Sequence, residues 1–141
     1  MIVYLDTSAL LKLYVEEIGT PAVVILVEQA EEVATARVTY VEARAALARH
    51  RREGALRAAD LRRAVRELDR KWETYNRVDL TDPLVHVAGS LAERHALRGY
   101  DAVHLAAALD LAIAGGAVEF ATFDGRLTRA ARRERLTVAD I

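Results

Sequence analysis

The sequence predicts an α/β protein in three layers, with a central, mostly parallel sheet covered by helices on both faces. Two observations carry that reading. Short apolar runs bounded by polar residues alternate with stretches of helical periodicity along the chain, and no linker, internal repeat or low-complexity tract interrupts them. The length of 141 residues suits one compact domain, 1–141, that buries roughly two thirds of the surface its unfolded form exposes.

Ile2 to Leu5 is a short apolar run stopped by Asp6, as expected of a buried strand, and Ser8 to Glu17 carries helical spacing in Leu10, Leu13 and Tyr14. Thr20 followed by Pro21 reads as an N-cap and a proline in the first helical position, opening a helix through about Ala30. Val33 to Ala36 is the second strand. Thr39 begins a long helix that Gly54 can close in a left-handed C-cap. The next helix runs from about Arg57 to Tyr75, with Leu61, Val65, Leu68, Trp72 and Tyr75 on one stripe. Val78 to Leu80 is a third strand, Asp82-Pro83 caps a helix reaching about Leu97, and Gly99 ends it. Asp101 to Ala114 is apolar on nearly all sides, which predicts a central buried helix. Gly115-Gly116 then breaks the chain before a strand at Val118 to Thr122; a last helix starts near Gly125, and Val138 closes an edge strand.

Composition narrows the chemistry. With 52% apolar and 29% charged residues the chain is of ordinary globular type. It has no cysteine, which removes disulfides and thiolate metal sites and suits a reducing cytoplasm. The amino terminus lacks the basic start and apolar core of a signal peptide, and Leu105 to Val118, interrupted by Asp110, falls short of the ~20 residues that span a membrane. Net charge is −1, yet Arg44 to Lys71 carries ten basic and four acidic residues and Arg126 to Arg135 five and one. Such segregation suits a protein that holds a cation at one place and phosphates beside it, and equally suits solvated helix faces.

Four carboxylates stand where a parallel sheet gathers ligands, outside the carboxyl ends of its strands. Each has a structural reading. Asp6 can cap a helix, Glu42 in Thr39-Tyr40-Val41-Glu42 matches a capping box, Asp101 can cap the buried helix, and Asp124 before Gly125 can be a turn residue. Together they imply more, because two carboxylates ~4 Å apart repel by about 4 kcal/mol at an effective dielectric near 20. A cluster of four must bind protons or gather cations, and a hard ion that prefers oxygen and keeps its waters, Mg²⁺ or Mn²⁺, is the simplest answer. The histidines offer no zinc site. His50 and His86 lack ligand partners at i+4, His95 lies near a helix end, and His104, one turn after Asp101, either reaches a metal-bound carboxylate or water or is satisfied in the core.

These segments carry a resemblance. Val3-Tyr4-Leu5-Asp6-Thr7-Ser8-Ala9-Leu10 resembles the opening of PIN-domain proteins, and Glu42 in Thr39-Tyr40-Val41-Glu42-Ala43 resembles their helical glutamate. Tyr100-Asp101-Ala102-Val103-His104-Leu105-Ala106-Ala107-Ala108 and Ala121-Thr122-Phe123-Asp124-Gly125-Arg126-Leu127 are similar to their two later motifs, in order along the whole chain. Size and form resemble the VapC-like toxins in particular. The resemblance implies a PIN-like three-layer fold and a metal-dependent endoribonuclease with catalytic ligands at Asp6, Glu42, Asp101 and Asp124. It also implies hydroxyl support from Ser8 and Thr122, an RNA substrate, a cognate antitoxin and a homodimer. Apolar stripes at Leu10, Leu13 and Tyr14 and at Val23, Leu26 and Val27 look like more than one small sheet face buries, which would favour such an interface.

Rival readings remain. A PIN nuclease of RNA processing shares every motif without being a toxin. A phosphoaspartyl hydrolase expects an aspartate two residues after Asp6, where Ser8 stands. A phospho-receiver domain expects a lysine after a late strand, whereas Lys12 and Lys71 are both on predicted helices. A non-catalytic binding module has no use for the intact acidic set.

Overall fold

The computed structural model describes residues 1–141. In chain order it comprises β1 (Ile2–Leu5), α1 (Thr7–Leu11), α2 (Thr20–Gln29), β2 (Glu32–Ala36), α3 (Val38–Arg52) and α4 (Ala58–Trp72), followed by β3 (Asn76–Val78), α5 (Asp82–His95), α6 (Gly99–Ile113), β4 (Val118–Ala121), α7 (Gly125–Arg133) and β5 (Thr137–Val138). The five strands form one parallel sheet in the order β3-β2-β1-β4-β5. This is the predicted class, and its cause is visible in β1. Successive side chains leave a strand on opposite faces, so Tyr4 joins an apolar cluster with α5, α6 and α7, while Val3 and Leu5 join one with α1 to α4. Burying a leucine such as Leu105, which is fully enclosed on α6, stabilises the fold by about 1.5–3 kcal/mol.

Several boundaries differ from expectation, each for a local reason. The first helix ends at Leu11 rather than Glu17, because the amides of Lys12, Leu13 and Tyr14 turn back three residues and tighten the chain. Lys12 then pairs with Glu17 at 3.0 Å and sits over the Phe123 ring. Pro21 stands in the first turn of α2 as predicted, but the cap position is Gly19, and the Thr20 hydroxyl accepts from the Glu17 amide and donates to the Val15 carbonyl. The third strand lies two residues earlier than Val78–Leu80, because its pairing with Ala34 to Ala36 sets the register from Asn76 to Val78. Thr81, not Asp82, caps α5. Its left-handed end is Ala96, and Gly99, expected to end that helix, instead begins α6. On α6, Ala102 and His104 to Ala108 are buried and Val103 is half-buried, while Ile113 near its end is exposed. Gly54 has the positive φ expected after α3.

The amino-terminal apolar stripes are in part core and in part its half-buried edge. Leu10 and Val23 are wholly buried, Leu26 nearly so, and Leu13, Tyr14 and Val27 pack against the same cluster. They are absorbed because α1 and α2 share one face of the sheet with α3 and α4, which gives them more apolar surface to cover than the sheet alone. The apolar surface left for an interface there is reduced to the half-buried Leu13, Tyr14 and Val27. No helix is long and apolar enough to cross a membrane.

Candidate active site

The parallel pairing of β1 with β4 places Leu5 opposite Ala121, so both chains leave the sheet together at its carboxyl edge. A polar residue follows each strand: Asp6, directly before α1, and Thr122, two residues before the cap of α7. Asp6 caps α1, its Oδ1 accepting from the Ala9 amide at 2.9 Å and from the Ser8 hydroxyl at 2.7 Å. The Thr122 hydroxyl donates to Asp6 Oδ2 at 2.5 Å and accepts from the Asp124 amide at 3.0 Å. Asp124 in turn caps α7, accepting from the amides of Arg126 and Leu127. The capping expected of Asp6 is therefore present, and it leaves the carboxylate at the sheet edge. Asp124 proves to be a helix cap as well as a residue of the turn before α7.

Glu42 does not cap its helix, contrary to the capping-box reading. The Thr39 hydroxyl pairs with that of Thr35 at 2.8 Å instead, and the position before α3 is Arg37, which makes no side-chain cap bond. The reason is tertiary: α1 and α6 supply Glu42 with better donors. The Thr7 hydroxyl donates to Glu42 Oε1 at 2.7 Å, and His104 Nε2 lies 2.8 Å from the same oxygen. Asp101 is not a cap either, since Arg98 precedes α6 and Asp101 lies within its first turn.

All four carboxylates line a single groove of about 1080 Å³. Its floor is Asp6, Thr7 and Ser8. One wall is α3, with Glu42, Ala45, Ala46, Arg49 and Arg52; the other is α5 and α6, with Val85, Ala88, Val103 and Tyr100. Of the long basic stretch, only Arg49 and Arg52 reach this groove. Arg44 bonds Tyr40, and Arg57 and Arg63 pair with Asp60, as solvated helix faces do. Arg98, which spacing gave no reason to single out, does reach the acidic set, with Nε 3.3 Å from Asp101 Oδ2 and Nη2 3.8 Å from Asp124 Oδ2.

The electrostatics separate the four. Asp6 is 4% exposed, and burial pushes its carboxyl above the ordinary range; the nearby His104 and the hydrogen bonds of Thr122, Ser8 and Ala9 oppose that shift without cancelling it. A buried carboxylate with three donors and no cationic side chain in contact is a site in need of positive charge. For Glu42, partial burial also raises the carboxyl, but hydrogen bonds from His104 and Thr7 outweigh it and leave the group below its usual range. Tyr4, wholly buried beneath, has its phenol pushed far up by desolvation and by the Asp6 and Glu42 charges, and stays protonated. As placed, no three of the acidic side chains close on a common point as a tight cage would. The donor set still fits a hard cation of open coordination, because Mg²⁺ keeps several waters and takes only one or two carboxylates directly.

His104, Tyr4 and Thr7 are the functional candidates that spacing left undecided or passed over. His104 was legible as a residue one turn beyond Asp101. Its contact with Glu42, 62 residues away in the chain, was not.

The geometry agrees with what the chain resembles among known proteins. Residues 3–133 match the PIN domain family. The curated proteins Ribonuclease VapC45 and Ribonuclease VapC49, both of Mycobacterium tuberculosis, are each 38% identical over 138 residues, covering 98% of this chain and 94% of theirs. Among solved structures, FitAcB from Neisseria gonorrhoeae superposes with a TM-score of 0.72 at 18% identity, covering 99% of this chain and 97% of that one. VapC20 from Mycobacterium tuberculosis, described as a sarcin-ricin loop cleaving toxin, does so with 0.67 at 20% identity, over 91% and 94%. At such identities the structural likenesses speak for the fold alone, a five-stranded parallel sheet between helical layers. The family match runs from the first strand through α7, and on that ground, joined to relatives of 38% identity across nearly the whole chain, the protein belongs to the PIN domain family.

Proposed function

We propose that residues 1–141 act as one PIN domain, a cytoplasmic endoribonuclease that hydrolyses RNA phosphodiester bonds with Mg²⁺ or Mn²⁺ and serves as the toxin of a toxin-antitoxin pair. The observation that carries this is the buried, uncompensated Asp6 carboxylate at the head of a groove that also holds Glu42, Asp101 and Asp124. The ribonuclease names of the 38% identical relatives support the substrate. Asp6 and Asp101 are assigned as direct ligands, Asp124 as a direct or water-mediated one, and Glu42 as a ligand of a second ion or the orienter of the attacking water. Ser8 and Thr122 hold Asp6 in place by their hydroxyls. When bound, the cation would supply Lewis-acid chemistry, lowering the pKa of water and neutralising charge on the phosphate. Arg49 and Arg52 lie along the groove where flanking phosphates of a single strand would run, and single-stranded loops are the form of RNA whose bases side chains can reach.

An antitoxin partner is supported by the structural neighbours described as VapBC2 from Rickettsia felis and VapBC-1 from nontypeable Haemophilus influenzae. Arg98 shows how a guanidinium meets Asp101 and Asp124, and an antitoxin arginine directed at Asp6 and Asp101 would obstruct the groove in the same way. With Leu10, Val23 and Leu26 in the core, the homodimer rests mainly on the toxin reading and is tested by light scattering. The deciding experiment incubates the purified protein with a panel of structured RNAs and with Mg²⁺, Mn²⁺ or excess EDTA. Cleavage confined to the metal-containing arms is expected; undiminished cleavage in EDTA sinks the metal reading. Cleavage without any growth defect on expression, and without a small co-purifying protein, would leave an RNA-processing nuclease.

A further inference from the structure

His104 is 2% exposed, in the middle of α6, and its ring joins the core to the groove. On the core side, Nδ1 lies 2.9 Å from the hydroxyl of Tyr4, itself wholly buried on β1 and stacked on Phe120 with ring centroids 5.5 Å apart. On the groove side, Nε2 faces Glu42 Oε1 at 2.8 Å and Thr7 Oγ1 at 3.2 Å.

The hydrogens can be placed by counting donors. An ionised carboxylate only accepts, and the single Thr7 hydrogen is directed to Glu42 Oε1. The proton must therefore be on Nε2, since a bare nitrogen would meet two oxygens presenting lone pairs. A neutral ring with its proton on Nε2 has a lone pair on Nδ1, which the Tyr4 hydroxyl satisfies as donor. On the groove side donation therefore runs from His104 to Glu42, and on the core side a neutral ring accepts from Tyr4. Glu42 Oε1 receives two donors from two rigid elements, α1 and α6, and Oε2 has no protein donor.

We propose that His104 is a positioning residue for Glu42: donating from Nε2, with the Tyr4 hydroxyl at Nδ1, it pins Oε1 so that Oε2 would be presented to a cation and water in the groove. This rests on the metal-dependent reading above. A histidine that merely filled the core would be replaceable by an apolar side chain of similar size with no consequence for metal. A histidine that orients a ligand would not, because outer contacts of this kind are worth roughly 10–100-fold in metal affinity. The free glutamate would also regain rotamers that binding must then remove.

The test uses the full chain without RNA and reads Mn²⁺ affinity by titration calorimetry, with thermal unfolding as the check on folding. His104→Leu is expected to stay folded and lose about tenfold or more in affinity. His104→Gln, whose terminal amide can donate from nearly the same place, should restore affinity to within about threefold of wild type. Long-range ¹H–¹⁵N spectra should show a proton of His104 on Nε2 in the wild type, and Tyr4→Phe, which leaves Glu42 and Thr7 in place, should keep it there. A folded His104→Leu with unchanged affinity, a His104→Gln as weak as His104→Leu, or a bare Nε2 in the wild type would each overturn the inference. Should His104→Leu fail to fold, the spectra and the His104→Gln affinity decide. Wild-type protein that takes up no Mn²⁺ would overturn the metal reading and this inference with it, whereas normal wild-type uptake with an indifferent His104→Leu overturns the inference alone.

Discussion

Thr122 donates its hydroxyl hydrogen to Asp6 at 2.5 Å across 116 residues of sequence, and the bond closes only because β1 and β4 are neighbours in parallel register. The same oxygen accepts from the Asp124 amide, so one side chain ties the two aspartate caps together. Thr122→Val keeps the shape and removes both bonds. Metal-free stability should fall by about 1.5–3 kcal/mol, the usual cost of losing a buried hydrogen bond to a charged group. Urea unfolding measures it, and a Thr122→Val protein as stable as wild type would show that the bond carries no net energy.

Asp6→Asn should abolish RNA cleavage and yet raise the metal-free thermal midpoint by ~2–5 °C. The sign follows from the shift. Burial raises the folded carboxyl above its unfolded value, so the folded state binds this proton more tightly, and metal-free stability rises as pH falls through the folded value towards the unfolded one. Above that window the buried charge is a cost, and the amide removes it. A midpoint that drops at pH 7.5, measured with chelator present, would contradict the account.

Glu42→Gln separates site from cap. The carboxylate makes no cap bond in α3, so helix stability should change little, while cleavage should fall at least tenfold, a loss of ~1.4 kcal/mol in transition-state stabilisation. Its pH signature is the reverse of Asp6. The folded carboxyl lies below its unfolded value, so the stability it contributes is present above the unfolded value and disappears as pH falls through the folded one. The acid limb of the stability profile should flatten in Glu42→Gln. Wild-type cleavage rates in this variant would return Glu42 to a structural role.

Gly19→Ala tests the floor of the groove from outside it. Gly19 has a φ of +97°, and an added Cβ would stand 2.7 Å from the Phe123 ring, whose amide donates to Ser8. A side chain is strained in that backbone region and the ring must also shift, so destabilisation of ~1–3 kcal/mol is expected. Adding Phe123→Ala should relieve the clash but not the backbone cost, and calorimetry on the double variant separates the two.

Much of this protein was determined by its sequence alone. Apolar runs ending in Asp6 and just before Asp124, with helical periodicity between them, already specify a parallel sheet and place both aspartates at its carboxyl edge, because strand and helix periods are local properties of the chain. Pro21 in a first helical turn and Gly54 after α3 were readable for the same reason. Tertiary structure alone decided the rest. The extent of β3 was set by its pairing partners Ala34 to Ala36, and beyond the turns that end α1, Lys12 came to lie over Phe123, 111 residues away. Leu10 and Val23 became core instead of interface once α1 to α4 were packed on one face. Glu42 shows the physical reason most plainly. A spacing of three from Thr39 satisfies a capping box, but a carboxylate goes to the strongest donors within reach, and Thr7 and His104, distant in sequence, come within reach only when α1, α3 and α6 assemble around the groove.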